Sequence, residues 1–325
     1  MEHVSPVEYR QDREPNTAYR DLMQAIKTHG RRGETQMAED AYRIKGYEMR
    51  FRFAEDGFPV ITERNLNQAA TEHNISNHQV DLGVQPIKGP LRQGLAEIIG
   101  FMNGARTVAE LETFGCKWWA SWASPEKCQK RGLEPGDLGP GSYGAAFHDF
   151  PTSEGQPFNQ IQHLVEQIRS MPHLRTHVLT PFIPQYLGRG QDQYGNAKQQ
   201  QVVVVPCHGL VHFIIEDGDL TLVHIQRSAD VPTGFPYNLV NYGAMAMMMA
   251  QVTNTTPVEV VHFISDAHIY VRQMDDVEEM LSRTPRPLPI LKIDPSVSDI
   301  FAFRPEHFSI AEYNPHPPMK IDTPI

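Results

Sequence analysis

The strongest candidate for chemistry is a cysteine that precedes an apolar run in the second half of the chain. Cys207 stands in the segment Val-Pro-Cys-His, and Gln226-Arg227-Ser228 follows after the run. A guanidinium next to a thiol favours the thiolate, so Arg227 could activate Cys207 as a nucleophile. The simpler alternative is a small buried core thiol, which is the more common role of a single cysteine.

A cysteine hydrolase is a second interpretation of the same segment, with His208 as the general base. Adjacent residues of a strand point to opposite faces of a sheet, which argues against pairing Cys207 with His208. His212 and His224 lie further along the run, and each is more simply interpreted as a histidine within a sheet. The hydrolase interpretation therefore lacks a well-placed base.

A turn-rich segment after the cysteine has the composition of a ligand-binding loop. Residues 230–238 read Asp-Val-Pro-Thr-Gly-Phe-Pro-Tyr-Asn, and two prolines with a glycine fix the backbone of such a loop. Arg227 and Ser228, just before it, have side chains that commonly donate to phosphate. Asn238 could cap the helix that follows, or its amide could bind a pyrimidine edge, because it offers both a donor and an acceptor.

Composition excludes several classes of function. The net charge of −10 over 325 residues argues against a nucleic-acid-binding surface, which is normally basic. No run approaches the roughly 20 apolar residues of a membrane helix, and the polar residues 1–15 do not resemble a secretory signal. Cys116, Cys128 and Cys207 show no metal-binding spacing. We expect a reduced, cytoplasmic protein with no metal site and neither nucleic acid nor membrane as a partner.

Hydrophobic periodicity indicates one mixed α/β domain over residues 16–325, behind an exposed N-terminal arm formed by residues 1–15. Helices are expected around residues 19–26, 95–102, 161–171 and 238–252, and strands around 49–53, 58–61, 258–264 and 290–293. Residues 202–215 and 220–226 flank an Asp-Gly turn and predict a hairpin. Residues 124–144 are rich in proline and glycine and predict a long loop.

Several segments resemble the thymidylate synthase family, which includes the pyrimidine-nucleotide hydroxymethylases. They are Pro206-Cys207-His208, Gln226-Arg227-Ser228-Ala229-Asp230, Gly234-Phe235-Pro236-Tyr237-Asn238, Asp266-Ala267-His268-Ile269-Tyr270 and, near the C-terminus, Tyr313-Asn314-Pro315-His316-Pro317 with Lys320. Matching features begin at about Tyr19 and are dense after Pro206. The resemblance implies a mixed β-sheet with flanking helices and a homodimer that packs through its sheets.

The resemblance also implies catalytic roles. Cys207 would add to C6 of the pyrimidine, which makes C5 a carbon nucleophile, and Arg227 would support the thiolate. Glu97 would organise proton transfer, Tyr143 would belong to the network that removes the C5 proton, and Asn238 would bind the base. An asparagine at this position implies uracil, and dUMP is therefore the expected nucleotide.

The same resemblance implies residues for the two substrates, a pyrimidine nucleoside monophosphate and 5,10-methylenetetrahydrofolate. Those expected to bind the nucleotide are Gln226, Arg227, Ser228, Asn238, His268 and Tyr270. Those expected to bind the folate are Trp119, Trp122, Asp230, Gly234 and Tyr237. Without the resemblance, Glu97 would be interpreted as a solvated helix charge and the two tryptophans as core residues.

The phosphate-binding positions depart from the family pattern. The usual threonine- and glycine-rich loop is replaced by Gly-Arg-Arg-Gly-Glu-Thr at residues 30–35, so either Arg31 or Arg32 could reach the phosphate. The family's pair of adjacent arginines, donated by the partner subunit, is here Arg175-Thr176. One guanidinium contact is therefore missing, at a cost of about 1.5–3 kcal/mol unless it is replaced.

Three further departures bear on the product. Gly100 replaces a common aromatic, and Thr233 and Tyr237 replace apolar positions on the folate side. We expect these changes to add space or polarity near the transferred carbon, which would admit water and favour hydroxymethylation. Reductive methylation of dUMP to dTMP is the alternative, and a non-catalytic nucleotide-binding homologue is the alternative of another class.

Overall fold

The computed structural model describes residues 7–188, 190–191 and 197–322. The α-helices are α1 (Ala18–His29), α2 (Phe53–Asp56), α3 (Glu72–Ser76), α4 (Gly89–Met102), α5 (Val108–Phe114), α6 (Pro125–Gln129), α7 (Tyr143–His148), α8 (Gln160–Ser170), α9 (Pro184–Leu187), α10 (Phe235–Thr253) and α11 (Met274–Ser282). The strands are β1 (Arg31–Glu34), β2 (Asp40–Arg52), β3 (Gln85–Pro86), β4 (Val178–Leu179), β5 (Gly190–Gln191), β6 (Ala197–Lys198), β7 (Leu210–Glu216), β8 (Asp219–Gln226), β9 (Ala229–Asp230), β10 (Thr256–Tyr270), β11 (Ile290–Ile293) and β12 (Phe308–Ala311).

A mixed seven-stranded sheet forms the centre of the domain, in the order β1-β2-β10-β8-β7-β4, with β9 also paired to β10. Strand β10 runs antiparallel to β2 and parallel to β8 and β9. The predicted hairpin is β7 and β8, joined at Asp217-Gly218, where both residues have positive φ. The expected α/β architecture, a mixed sheet with flanking helices, is therefore confirmed.

One face of the sheet is covered by α10, which is buried along nearly its whole length. A helix that is apolar on all sides belongs inside a core, and α10 lies between the sheet and α4. Gly243 allows close contact, because a Cβ there would lie 2.8 Å from Pro59 and 2.9 Å from Phe58. This packing fixes the start of α10 relative to the ends of the strands, where the candidate site lies.

The opposite face of the sheet is apolar and partly exposed. The strand register sets Ile225 beside Phe263, each 37 % exposed, and the next row contains His212, Val223 and Val261. Val178 lies in the edge strand β4, pairs with His212 of β7 and is 44 % exposed. A contiguous apolar sheet face of this kind is typical of a surface that another protein covers.

The described part of the N-terminal arm, residues 7–15, contacts the domain at two points, and five of its nine residues are exposed. Tyr9 Oη donates to the backbone oxygen of Leu291, and the Arg13 guanidinium is buried and lies 2.6 Å from the Glu312 carboxylate. Residues 1–6 fall outside the described residues. Residues 7–15 therefore lie against the surface of the domain, and the boundary at residue 15 stays a prediction.

Two predictions of local structure were wrong. Residues 58–61 are irregular rather than a strand, because β2 ends at Arg52 and the chain turns through the short helix α2. The loop predicted for residues 124–144 contains α6 and the first turn of α7. Within the described ranges, no helix is long and apolar enough to cross a membrane.

Candidate active site

The Cys207 thiol lies in a short segment that Arg227 holds in place. Arg227 Nε donates to the Pro206 oxygen at 2.7 Å, and Nη2 donates to the Val205 oxygen at 2.9 Å and to Cys207 Sγ at 3.3 Å. The Arg227 backbone N–H also donates to the Cys207 oxygen. Cys207 precedes β7 rather than lying inside it, so the strand's alternation does not orient its side chain.

Two opposing effects act on the reactivity of this thiol. Burial raises the pKa of Cys207, because a thiolate loses solvation there, and the Arg227 guanidinium lowers it. The residue still keeps some exposed surface. The arrangement gives a thiol that is mainly protonated when the site is empty and that has a cation in contact to stabilise the anion when it forms.

The neighbour of the thiol, His208, is unsuited to act as its base. His208 is buried, and its Nδ1 lies 2.6 Å from Tyr242 Oη. Burial and the Arg227 charge lower the pKa of His208 to about 3. The cysteine hydrolase interpretation therefore finds no base at this position.

Tyr143 lies directly behind the thiol segment. The Cys207 backbone N–H donates to Tyr143 Oη at 2.7 Å, and the ring stacks on His208 with 4.3 Å between centroids. Burial raises the pKa of Tyr143, so the phenol stays protonated. Its hydroxyl hydrogen is therefore available to a ligand or water beside Cys207.

Gln226, at the end of β8, and Asn238, in the first turn of α10, form an amide pair. Gln226 Nε2 donates to Asn238 Oδ1 and to the Ser228 oxygen, both at 2.9 Å. Both amides are buried. The Asn238 side chain is thus held by Gln226, and the alternative in which it caps α10 is not observed, because the residue before the helix is Gly234.

His268 and Tyr270 lie at the end of β10, where the strand runs beside β9. His268 is paired with Asp230 on one side and with Arg43 of β2 on the other. Burial lowers the pKa of His268 and raises that of Tyr270. Both side chains are therefore neutral near pH 7, as suits contacts to sugar hydroxyls.

The expected phosphate residues are spread along the sheet and its edge. Arg32 is ion-paired with Asp40 at 2.8 Å. Arg31 is the cross-strand neighbour of Arg43, which in turn neighbours His268. Arg175 is exposed, three residues before Val178 of the apolar sheet face. Arg43 was missed by the sequence analysis, since its place in the row between Arg31 and His268 depends on strand register.

The Glu97 carboxylate is buried in a cluster of N–H donors. Trp118 Nε1 and Trp119 Nε1 donate to Oε1 at 2.7 and 2.6 Å, and Asn241 Nδ2 donates to Oε2 at 3.0 Å. Burial raises the pKa of Glu97, and the three donors oppose that shift. Trp118 and Asn241 were not expected at the site. The pair Trp118-Trp119 was the available signal, since one turn of 3-10 helix carries both indoles.

Trp122 is half-buried, and its proposed contact with the folate stays a prediction, whereas Gly100 does not have the surroundings that the sequence suggested. The Lys127 ammonium lies 5.1 Å from the centroid of the Trp122 ring. A Cβ at Gly100 would meet Leu111 at 2.8 Å, and Phe114 and Ala105 also lie close. The absent side chain at Gly100 is replaced by Leu111 of α5, so this position adds no space to the site.

A cavity of about 210 Å³ lies beneath the C-terminal segment, residues 313–322. Its lining residues are Arg64, Asn65, Gln68, Ala70, Pro90, Thr233, Tyr237, Met319, Lys320 and Ile321. Tyr313 anchors the C-terminal segment, since its hydroxyl donates to the Ile61 oxygen and accepts from Leu66 N–H. Gly234 is exposed, and a Cβ there would have no neighbour within 4 Å.

Two polar atoms of this cavity are buried without a hydrogen-bond partner among the described residues. They are Arg64 Nε and Gln68 Oε1. Buried polar groups are almost always paired in native structures. Their positions in the cavity lining therefore indicate a polar ligand or ordered water.

Asp230 lies at the inner end of the same region. Gln273 Nε2 lies 3.2 Å from both of its carboxylate oxygens and also donates to Thr233 Oγ1 at 2.9 Å. Burial raises the pKa of Asp230 to about 6, against the hydrogen bonds from Gln273 and Thr233. Across the described ranges, no group of three or more His, Cys, Asp or Glu side chains could hold a metal ion.

A family model described as Thymidylate synthase matches residues 82–325 of the chain. The matched stretch contains the thiol segment, the amide pair and the Glu97 cluster, whereas Arg31, Arg32 and Arg43 precede it. The match confirms the resemblance that the sequence motifs indicated.

The raised pKa of Asp230 predicts a specific dependence of stability on pH. Between its ordinary pKa of 3.8 and about 6, the folded protein keeps a proton that the unfolded chain releases, so the contribution of Asp230 to stability falls as pH rises. The free energy of unfolding of the wild type, relative to Asp230→Asn, should fall by about 1–2 kcal/mol from pH 4 to pH 7. Urea unfolding measures it, with Asp12→Asn at an exposed position as the control. A difference that does not change with pH would contradict the assignment.

Proposed function

Because the chain belongs to the thymidylate synthase family, we propose that it transfers a one-carbon unit from 5,10-methylenetetrahydrofolate to C5 of a pyrimidine nucleoside monophosphate. The observation that carries the proposal is the Cys207 thiol, held 3.3 Å from the Arg227 guanidinium beside the Gln226–Asn238 pair. A nucleophile, a charge to stabilise it and a pair of base-binding amides are what this reaction requires of the protein.

The first step is covalent. Cys207 Sγ bonds to C6 of the ring, the C5–C6 π electrons shift toward C4–O4, and C5 becomes nucleophilic. Before the attack the thiol gives its proton to water, and Arg227 stabilises the thiolate that forms. Elimination of Sγ after the transfer restores the aromatic pyrimidine and the free thiol.

The amide pair supports binding of a uracil ring. Asn238 Oδ1 accepts from Gln226 and has a second lone pair for N3–H, and Asn238 Nδ2 can donate to O4. Ser228 and Arg227 are adjacent in the chain and supply phosphate donors. His268 and Tyr270 supply neutral groups for the sugar, and dUMP is the nucleotide that we propose.

Proton movement is assigned to Glu97 and Tyr143. The C5 proton must leave after the new C–C bond forms, and the Tyr143 hydroxyl beside Cys207 positions the water that takes it. Glu97 receives three N–H donors, which hold its carboxylate in one orientation. Burial raises the pKa of this carboxyl, which makes Glu97 a better proton acceptor than an exposed glutamate.

We assign the binding of the reduced folate to the cavity beneath the C-terminal segment and the residues around it. The unpaired Arg64 Nε and Gln68 Oε1 offer a donor and an acceptor, and the Tyr237 ring provides a flat apolar wall. Asp230, with Gly234 close by, would bind the polar pterin ring, and Trp119 would cover the side nearest Glu97. When bound, the folate supplies the electrophilic one-carbon unit and, for a methyl product, a hydride.

Hydroxymethylation is the outcome that we favour, by attack of water on the transferred carbon. The support is polar: Thr233 and Tyr237 bring hydroxyl groups to the cavity, next to the two unpaired polar atoms. Gly100 no longer contributes, since Leu111 fills that position. Reductive methylation remains the alternative, favoured by the same filled position and by the C-terminal segment over the cavity, because both would keep water out.

A homodimer completes the proposed site. The apolar sheet face around Phe263 and Ile225 offers a self-complementary surface of the type that two-fold symmetric dimers use. Arg175 lies beside this face, three residues before Val178, so a partner's Arg175 would reach the phosphate from across the interface.

Cys207→Ala should abolish turnover while the protein still binds nucleotide. The covalent step has no other thiol to use, so we expect a loss of at least about a thousandfold in kcat with dUMP affinity changed by less than about fivefold. Cys128→Ala, which removes a buried thiol outside the site, is the matched control and should keep turnover. Residual activity near that of the control would rule out the covalent mechanism, and binding without turnover in the wild type would favour the non-catalytic homologue.

The product decides between the two one-carbon outcomes. With dUMP and 5,10-methylenetetrahydrofolate, we expect hydroxymethyl-dUMP by mass spectrometry and no growth of the dihydrofolate absorbance. Thr233→Leu with Tyr237→Phe removes both cavity hydroxyls and should shift the product mixture toward dTMP. A wild type that yields only dTMP with stoichiometric dihydrofolate would establish the alternative.

A charge on the apolar sheet face tests the proposed dimer. Phe263→Glu should convert a dimer to monomer in sedimentation velocity and lower turnover at the same time, because a charge on the sheet face is buried at the interface and Arg175 is lost with the partner. Phe158→Glu places the same charge at another exposed phenylalanine, 40 % exposed. Two variants with the same sedimentation coefficient as the wild type would contradict the sheet-mediated dimer.

A further inference from the structure

Two fully buried histidines lie behind the amide pair and have no part in the proposed chemistry. His224 of β8 and His262 of β10 are register partners in adjacent parallel strands, and both are 0 % exposed. Their side chains lie on the core face of the sheet. Burial lowers the pKa of both rings, to about 3 for His262, so each is neutral and carries one N–H.

The tautomer of His224 is fixed by the backbone. The Gly209 N–H donates to His224 Nε2 at 2.8 Å. A backbone N–H can only donate, so His224 Nε2 must be the unprotonated nitrogen of the ring. The single ring proton of His224 is therefore on Nδ1, which lies 3.3 Å from His262 Nδ1 and 3.2 Å from His262 Nε2.

The tautomer of His262 follows from its other neighbour. His262 Nε2 lies 3.0 Å from Gln226 Oε1. An amide oxygen can only accept, so His262 carries its proton on Nε2. His224 Nδ1 lies almost equally far from both ring nitrogens of His262, and Nδ1 is then the one of the two that can accept from it.

The orientation of Gln226 is fixed independently at the far end. Gln226 Nε2 donates to the Ser228 backbone oxygen, which can only accept, and its second hydrogen goes to Asn238 Oδ1. The hydrogen bonds thus run in one direction, from Gly209 through His224, His262 and Gln226 to Asn238. Asn238 Oδ1 is turned toward Gln226, and its Nδ2 hydrogens remain for a ligand.

We propose that His224 and His262 are specificity-determining positioning residues, which lock the Asn238 amide in the orientation that accepts uracil and rejects cytosine. The inference rests on the proposed function, since it assumes that Asn238 binds the base. Uracil presents O4 as an acceptor and N3–H as a donor, whereas cytosine presents an N4 donor and an N3 acceptor. Reversal of the Asn238 amide would exchange one preference for the other.

The buried series of hydrogen bonds from Gly209 to Asn238 opposes that reversal at two points. If Asn238 turned over, Gln226 would have to turn as well, which would set its NH2 against the His262 Nε2–H. It would also set Gln226 Oε1 against the Ser228 oxygen. Gln226 Oε1 would then pair with the reversed Asn238 amide, but the Gln226 NH2, the His262 Nε2–H and the Ser228 oxygen would each lose a partner in a buried site. We expect this series of hydrogen bonds to make the affinity for dUMP at least about tenfold higher than that for dCMP.

Substitutions at His262 test the direction in which these hydrogen bonds run. His262→Gln keeps it, because the new amide can accept from His224 Nδ1–H and donate to Gln226 Oε1. His262→Glu offers acceptors alone and draws the Gln226 NH2 toward itself. Equilibrium binding of dUMP and dCMP to the full chain, by calorimetry without folate, should show the dUMP:dCMP affinity ratio within about threefold of wild type for His262→Gln and at least tenfold lower for His262→Glu.

His177→Gln is the matched control, since His177 is also fully buried but bonds to Gln167 and Pro172 instead of the amide pair. Its affinity ratio should equal that of the wild type. A His262→Glu ratio like the wild type, or equal losses in the Gln and Glu variants, would overturn the proposal. Turnover of dUMP that continues alongside such a result would leave the proposed function intact, whereas a wild type that binds neither nucleotide would overturn both.

Nitrogen NMR of the wild type tests the same chain without any substitution near it. Histidine ¹⁵N shifts and ring couplings distinguish the two neutral tautomers. We expect His224 protonated at Nδ1 and His262 protonated at Nε2. The opposite tautomer at either ring would reverse or break the chain and overturn the proposal, whether or not His262→Glu folds.

Discussion

The Arg227 guanidinium is the contact on which the geometry of the site depends. It donates to the backbone oxygens of Val205 and Pro206 and contacts the Cys207 sulfur, so one cation both shapes the segment and faces the nucleophile. Pro206 has no N–H to satisfy and fixes its own φ, which simplifies the turn that Arg227 closes. Arg227 takes no part in the ion pairs found among the described residues. Its charge is therefore available to a thiolate and a phosphate, in a protein whose net charge is −10.

Strand β10 aligns further residues of the proposed site with the strands that flank the Arg227 contact. Its parallel pairing with β8 and β9 aligns His262 with His224, and His268 with Asp230. Because side chains alternate along a strand, the same element presents His262 to the core and Phe263 to the opposite, partly exposed face. A shift of one residue in its register would turn the base-orienting histidine outward and bury a different set of side chains. Base orientation and the proposed dimer surface are thus tied to one strand pairing.

Sequence reasoning found what is local and missed what depends on distant contacts. The hairpin, the buried helix α10 and the proximity of Arg227 to Cys207 were predictable, because each rests on periodicity or on a motif within about thirty residues. Trp118 was not predicted at the site, since spacing alone does not tell which indoles a 3-10 turn directs at Glu97. Gly100 suggested open space in the site, but Leu111 of α5 occupies that space. The binding of Arg13 to Glu312 joins residues 299 positions apart, which no local pattern reports.

The pattern of satisfied and unsatisfied polar groups separates scaffold from binding site. Gln226, His262 and His224 are deeply buried and fully bonded to one another and to the backbone, as expected of groups whose orientation the fold must fix. Arg64 Nε and Gln68 Oε1 line a cavity, and Asn241 Oδ1 adjoins the Glu97 cluster; all three lack a partner among the described residues. An unpaired buried polar atom costs about 1–3 kcal/mol. In the proposed function a ligand would pair these atoms, whereas the bonded histidines would act only through the orientation of Gln226 and Asn238.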